Sequence, residues 1–141
     1  IGFHVCGYKK KDKVSVPYVY FCHVGRDQVE RKNANADGTV IYGASWSGQA
    51  DVITGLIKSV VAKNKGGAQK VVRQTALIAW DAMQLQDAIA VSLFAIRRTI
   101  DTIHFQARPK NVGGPIDVLV ISPEGASWIQ RKELTGEVDV D

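Results

Sequence analysis

The sequence predicts an α+β fold in which helices cover one face of a mostly antiparallel sheet. Apolar runs rich in β-branched and aromatic residues gather near the two ends of the chain, and helical periodicity fills the middle. Strand and helix do not alternate one for one, as a doubly wound parallel sheet would require. The chain has 141 residues, of which 45% are hydrophobic, enough to build a core for one domain.

Ile1–Tyr8, reading IGFHVCGY, is apolar at alternate positions of both sets and predicts a strand covered on both sides. After the charged connection Lys9–Ser15, the run Pro17–Gly25 predicts a second such strand, with Pro17 at its first position, where a missing donor is tolerated. The two form an expected antiparallel hairpin. The polar segment 26–38 ends in Asp37-Gly38, a turn signal, and the short apolar run Thr39–Tyr42 reads as a third strand.

Gly43–Gly48 leads into Ala50–Ala62, where Val52, Ile53, Leu56, Ile57, Val60 and Val61 recur at helical spacing, with Ser47 the expected N-cap and Asp51 in the first turn. A second helical pattern runs from Val71 through Val72, Ala76 and Ala79 to near Met83. The strongest helix follows from Leu85, since Leu85, Ala88, Ile89, Leu93, Ile96, Ile100 and Ile103 form one stripe that Asp87, Arg97, Arg98 and Asp101 avoid. Arg108–Pro115 reads as a loop, Ile116–Ser122 as a strand and Ser127–Lys132 as its partner across Pro123-Glu124-Gly125. The acidic tail from Glu133 reads as a solvated end. With helices for only one sheet face, the doubly apolar first strand calls for covering material beyond this set of elements.

Composition narrows the function. The charged fraction is 23%, the formal charge +4 and the isoelectric point about 9.1, with mean hydropathy −0.06. The basic residues Lys9, Lys10, Lys11 and Lys13, and Lys63, Lys65 and Lys70, flank polar or glycine-rich stretches without interleaved aromatics, which argues against nucleic-acid binding. No run of about 18 apolar residues is present, so no membrane partner is expected. Cys6 and Cys22 alone make no disulfide framework, which favours a reducing, cytoplasmic setting. The chain opens at Ile1 with neither an initiator methionine nor a basic leader, so a segment upstream of it is expected.

In order and in short motifs, the chain resembles the carboxy-terminal portion of a proteasome β-type subunit, a member of the Ntn-hydrolase superfamily. The resemblance is carried by Val5-Cys6-Gly7-Tyr8 with Pro17-Tyr18-Val19-Tyr20, and by the glycine-serine segment Gly43–Ala50 before a helix. It is carried also by Asp87-Ala88 and Ala95-Ile96-Arg97 in the long helix, and by Val112-Gly113-Gly114-Pro115-Ile116-Asp117-Val118 before the terminal hairpin. Such a resemblance implies a four-layer αββα sandwich of which this chain, a single domain over 1–141, supplies the later strands and helices. It also implies ring-type or homo-oligomeric assembly, a peptide or amide substrate, no cofactor, and an amino-terminal nucleophile that attacks the amide carbonyl.

No catalytic residue can be assigned within this chain, because Ile1 has neither hydroxyl nor thiol and the supporting acid and lysine of the family fall outside it. Val112 stands where active subunits carry a serine, and Pro109 where they carry an aspartate. The expected function is therefore an amide-bond hydrolase subunit whose nucleophile lies elsewhere, with a non-catalytic assembly subunit as the alternative. An unrelated α+β binding module is the third reading, to be recognised if the first strands and the terminal hairpin do not share one sheet.

Ser45, Ser47, Gly113 and Gly114 are the candidate cleft-lining residues. Gly43–Gly48 before a helix could bind an anion, but it lacks the Gly-Lys-Ser ending of a phosphate loop, and a helix cap with a tight strand-to-helix turn is the favoured reading. His4, Cys6, Cys22 and His23 are metal-ligating types, but strand alternation lets at most three converge, so no metal is expected and a core role for each is favoured. Asp81 and Asp87, six positions apart, do not share a helix face as a catalytic carboxylate pair would.

Overall fold

The structure, a computed structural model, describes residues 1–57, 60–63, 66–67, 69–73 and 78–132. They fall into two compact units, Ile1–Ser45 with Pro115–Asp141, and Trp46–Gly114. Among the described residues no helix is long and apolar enough to cross a membrane.

The first unit is built on β1 (Gly2–Lys11), β2 (Val14–His23) and β3 (Gln28–Arg31), an antiparallel sheet in the order β1-β2-β3. The expected hairpin forms, with pairing unbroken from Gly2↔His23 to Lys11↔Val14. Asp12 closes its turn at φ 56, in the left-handed region that Asp tolerates better than most residues. Paired residues share a face in an antiparallel ladder. One face therefore carries Phe3, Val5, Tyr18, Tyr20, Cys22 and Val29, and the other His4, Cys6, Tyr8, Pro17, Val19 and Phe21.

Pro17 lies inside β2 opposite Tyr8, rather than at its start. It is tolerated because β3 stops at Arg31, so no neighbouring strand needs a donor at that point. The third strand is β3, in the polar segment, whereas Thr39–Tyr42 contributes only the isolated bridge Ala34↔Val40. Pairing to the β2 edge outweighs composition here. Arg31 stacks over Tyr18 with its guanidinium carbon 4.0 Å from the ring centre, and Lys32 N–H extends the ladder to the Val19 carbonyl at 2.7 Å.

The terminal hairpin forms as expected, from β6 (Val118–Ser122) and β7 (Gly125–Gln130). Ser122 Oγ accepts the Glu124 N–H at 3.3 Å and so pins the two-residue loop. The strand β6 approaches β1 but, among the described residues, pairs only with β7.

In the second unit the expected helix over Ala50–Ala62 is cut short. The helix α1 (Asp51–Ile57) is followed by β4 (Val60–Lys63) and β5 (Gln69–Arg73), which pair antiparallel where two helices were expected. Val60, Val61, Val71 and Val72 fit three- and four-residue spacing, yet their branched side chains favour the extended backbone, and Gly66-Gly67 supplies the turn between them. Of the second helix, 74–77 lie outside the described residues, and Trp80–Ala82 is a single 3-10 turn. The acidic tail from Glu133 also lies outside the described residues, as does Lys65.

The long helix is present as α2 (Leu85–Phe105). Lys110 Nζ caps its last turn, donating to the carbonyls of Ile103 at 3.3 Å and Gln106 at 3.0 Å. The packing of α1 on α2 buries Ile53, Thr99 and Ile103, and Arg108 donates to the Asp51 carboxylate at 3.0 Å. Phe94 and Phe105 lie off that stripe, eleven positions apart and so nearly in line on a helix of 3.6 residues per turn, with 54% and 86% of their surfaces exposed.

The four-layer αββα sandwich is not what the chain forms. Among the described residues the strands make three antiparallel sheets, of three, two and two strands, and the first strands and the terminal hairpin belong to different ones. Phe3 and Val5 on β1 are 52% and 48% exposed, so the face expected to lie between two layers is open among the described residues.

Ile103 is fully buried and Phe105, two residues on, is exposed. Replacing Ile103 by Ala should lower unfolding stability by about 2–5 kcal/mol, and Phe105→Ala by less than about 0.5 kcal/mol, as measured by urea denaturation.

Candidate functional site

On the His4 face of the first sheet, the segment after Val40 runs back across the strands without a turn or helix of its own. It is anchored at Ile41, whose N–H donates to the Asn33 carbonyl at 3.1 Å. The loop before it is a set of local turns: Gly38 N–H donates to Asn35, Asn35 N–H to Thr39, and Thr39 N–H to the Asp37 carboxylate at 2.9 Å. That last bond holds the Asp37 carboxyl below its usual range.

Between this segment and the sheet lies a pocket of about 310 Å³, lined by Tyr8, Pro17 and Val19 from the strands and by Lys32, Asn33 and Ile41–Ser45 from the loop. The volume is at the lower end of small-molecule sites. Asn33 builds one wall. Its Oδ1 accepts the Val19 N–H at 3.0 Å and Arg31 Nε at 3.3 Å, while its Nδ2 donates to the Pro17 carbonyl at 2.9 Å. A single side chain thus continues the ladder where β3 has ended.

Ser45, the end of the lining segment, has its Oγ 2.9 Å from His4 Nε2. The His4 ring packs against Phe21 at 4.8 Å between centres, and Phe21 against His23 at 4.5 Å. Beside them Glu30 accepts from Lys32 Nζ at 2.7 Å, a bond that, with the ammonium charge, holds the Glu30 carboxyl below its usual range. Cys6 shares the His4 face and is exposed, and the desolvation it does experience there pushes its thiol up.

Of the four expected cleft residues the structure places only Ser45 in this pocket. Ser47 is exposed and belongs to the second unit; it does not cap α1, whose first turn is entered through Ala50, the Thr54 N–H donating to the Ala50 carbonyl at 2.9 Å. Gly113 and Gly114 are exposed and line no part of this pocket, and Gly114 adopts φ 81, which accounts for the glycine as a turn requirement. His4 and Cys6 lie on one sheet face and Cys22 on the other; among the described residues no three His, Cys, Asp or Glu side chains gather as a metal set.

Sequence reasoning missed Asn33 and the pairing of His4 with Ser45. Asn33 lies two residues past the end of β3 in a segment read wholly as polar loop, so no pattern marks it. No family model matches the chain, and no curated protein or solved structure is found similar to it.

Two outcomes follow from these bonds. Asn33→Ala leaves the Val19 N–H and Pro17 carbonyl without their partner and should cost about 1–3 kcal/mol, with faster hydrogen exchange at the Val19 amide. Because the Glu30 pKa is depressed in the folded chain, the stability it adds is present above the unfolded value and is lost as pH falls through the folded one. In Lys32→Met the Glu30 carboxyl should titrate closer to an ordinary glutamate, followed by NMR, and the acid-side slope of stability should shrink.

Proposed function

We propose that this chain is an assembly subunit, whose task is to present apolar sheet and helix surface to further copies of its own kind. The exposure of Phe94 and Phe105 in line on the outer side of α2 carries the reading, and the open Phe3 and Val5 on β1 add to it. Surface aromatics aligned over three turns of a helix lose water-exposed area only when another chain covers them. The resemblance to ring-forming subunits in the strand and helix motifs is what favours like copies as the covering chains, and the placement of Cys6 and Cys22 on opposite sheet faces, where they cannot pair, suits a cytoplasmic setting.

A second reading, an amide-bond hydrolase subunit, is favoured by one observation: Gly43–Ser45, the segment expected to border a substrate cleft, lines the pocket on the first sheet. In that reading the amino-terminal nucleophile is supplied outside these 141 residues. The expected sandwich no longer supports it, and the separation of the first strands from the terminal hairpin is the arrangement named for an independent binding module.

Native mass spectrometry of the purified full-length protein tests the assembly reading. The assembly reading expects a multimer, and expects Phe94→Glu and Phe105→Glu each to weaken it by roughly one to two orders of magnitude in Kd, the equivalent of about 1.5–3 kcal/mol for an apolar side chain of this size. A strictly monomeric wild type would sink it.

A further inference from the structure

The hydrogen bond between His4 and Ser45 joins residues 41 positions apart, one on the first strand and one at the end of the pocket-lining segment. At 2.9 Å, Oγ and Nε2 are within reach of direct proton transfer, the arrangement in which an imidazole activates a hydroxyl. With Nδ1 carrying the ring proton, Nε2 accepts the Ser45 proton. The ring is half-buried and held by the Phe21 face, while Ser45 is exposed and open to a reagent.

Two further features fit an acyl group. The pocket beside Ser45 has a largely apolar wall from Tyr8, Val19 and Tyr42, with room for an aryl or short acyl portion. The backbone N–H groups of Gly43 and Ala44, next to Ser45 in the chain, make no hydrogen bond among the described residues and so remain available as donors to a bound group.

We propose that Ser45 is an acylatable nucleophile with His4 as its general base, acting on activated aryl esters. Ser45 Oγ forms a bond to the ester carbonyl carbon as its proton passes to His4 Nε2. The carbon–oxygen bond to the aryl group breaks, and the departing phenolate takes that proton or leaves it to water. Water then attacks the acyl carbon, giving a proton to Nε2; the acid departs and the Ser45 hydroxyl is restored.

Among the described side chains none bonds to His4 Nδ1, so the ring is oriented by packing alone. In a serine–histidine pair, loss of the orienting carboxylate lowers turnover by about 10⁴, which limits this pair to leaving groups far better than an amine. The inference does not rest on the assembly reading, and a multimer and a monomer test it equally.

The test uses the full chain with p-nitrophenyl acetate, following nitrophenolate release, intact mass and peptide mapping. One acetyl group on Ser45 is expected, absent in Ser45→Ala, retained in Ser47→Ala and formed at least about 100-fold more slowly in His4→Gln. Acetylation confined to lysines, or a rate unchanged in His4→Gln, overturns the proposal. Should His4→Gln fail to fold by circular dichroism, an aryl fluorophosphonate on the wild type decides: a single adduct on Ser45 in buffer and none in urea supports the nucleophile, while no adduct, or adducts spread over the chain, ends it.

Discussion

Everything in the first unit depends on the ten-residue pairing of β1 with β2. Its register decides which side chains share a face, because residues opposite one another in an antiparallel ladder project to the same side. Gly2↔His23 through Lys11↔Val14 places His4, Tyr8, Val19 and Phe21 together, and so creates the surface on which the segment up to Ser45 lies. A slip of one residue would carry His4 to the Phe3 side and leave Ser45 without its partner.

How legible this was in the sequence depends on how local each determinant is. The β1–β2 hairpin, α2 and the β6–β7 hairpin are fixed by periodicity within their own residues, and all three form close to their expected bounds. The helix over Ala50–Ala62 failed because Val60 and Val61 satisfy a helical spacing and an extended one alike, and the choice went to the hairpin with Val71 and Val72 across Gly66-Gly67. The strand β3 was invisible because Gln28–Arg31 is held by the β2 edge and by Arg31 over Tyr18, neither of which leaves a local pattern. The sandwich came from resemblance alone, and the sheets do not merge into it.

For the site, residue type was informative and partnership was not. Ser45 was singled out for its place before a helix, and His4 for its place near cysteines; their contact across 41 positions is a product of the sheet register and the loop path. Asn33 shows the same limit from the other side. Its three hydrogen bonds shape the pocket wall, yet an asparagine in a polar run carries no mark of that role. The pocket combines a well-placed proton acceptor with an unsupported ring, an arrangement suited to easily displaced leaving groups.

The way the β2 ladder ends has a consequence for how this chain behaves in a crowd. An open sheet edge recruits foreign strands through its free N–H and carbonyl groups, and that recruitment is the first step towards fibrils. Past Arg31 the β2 edge has nothing to lend at Pro17 and Val19: Pro17 has no N–H, its carbonyl is occupied by Asn33 and Arg31, and Val19 has both backbone groups engaged. At those two positions the edge is blocked by one asparagine and one proline, which a strand-swapping neighbour would have to displace before it could pair there.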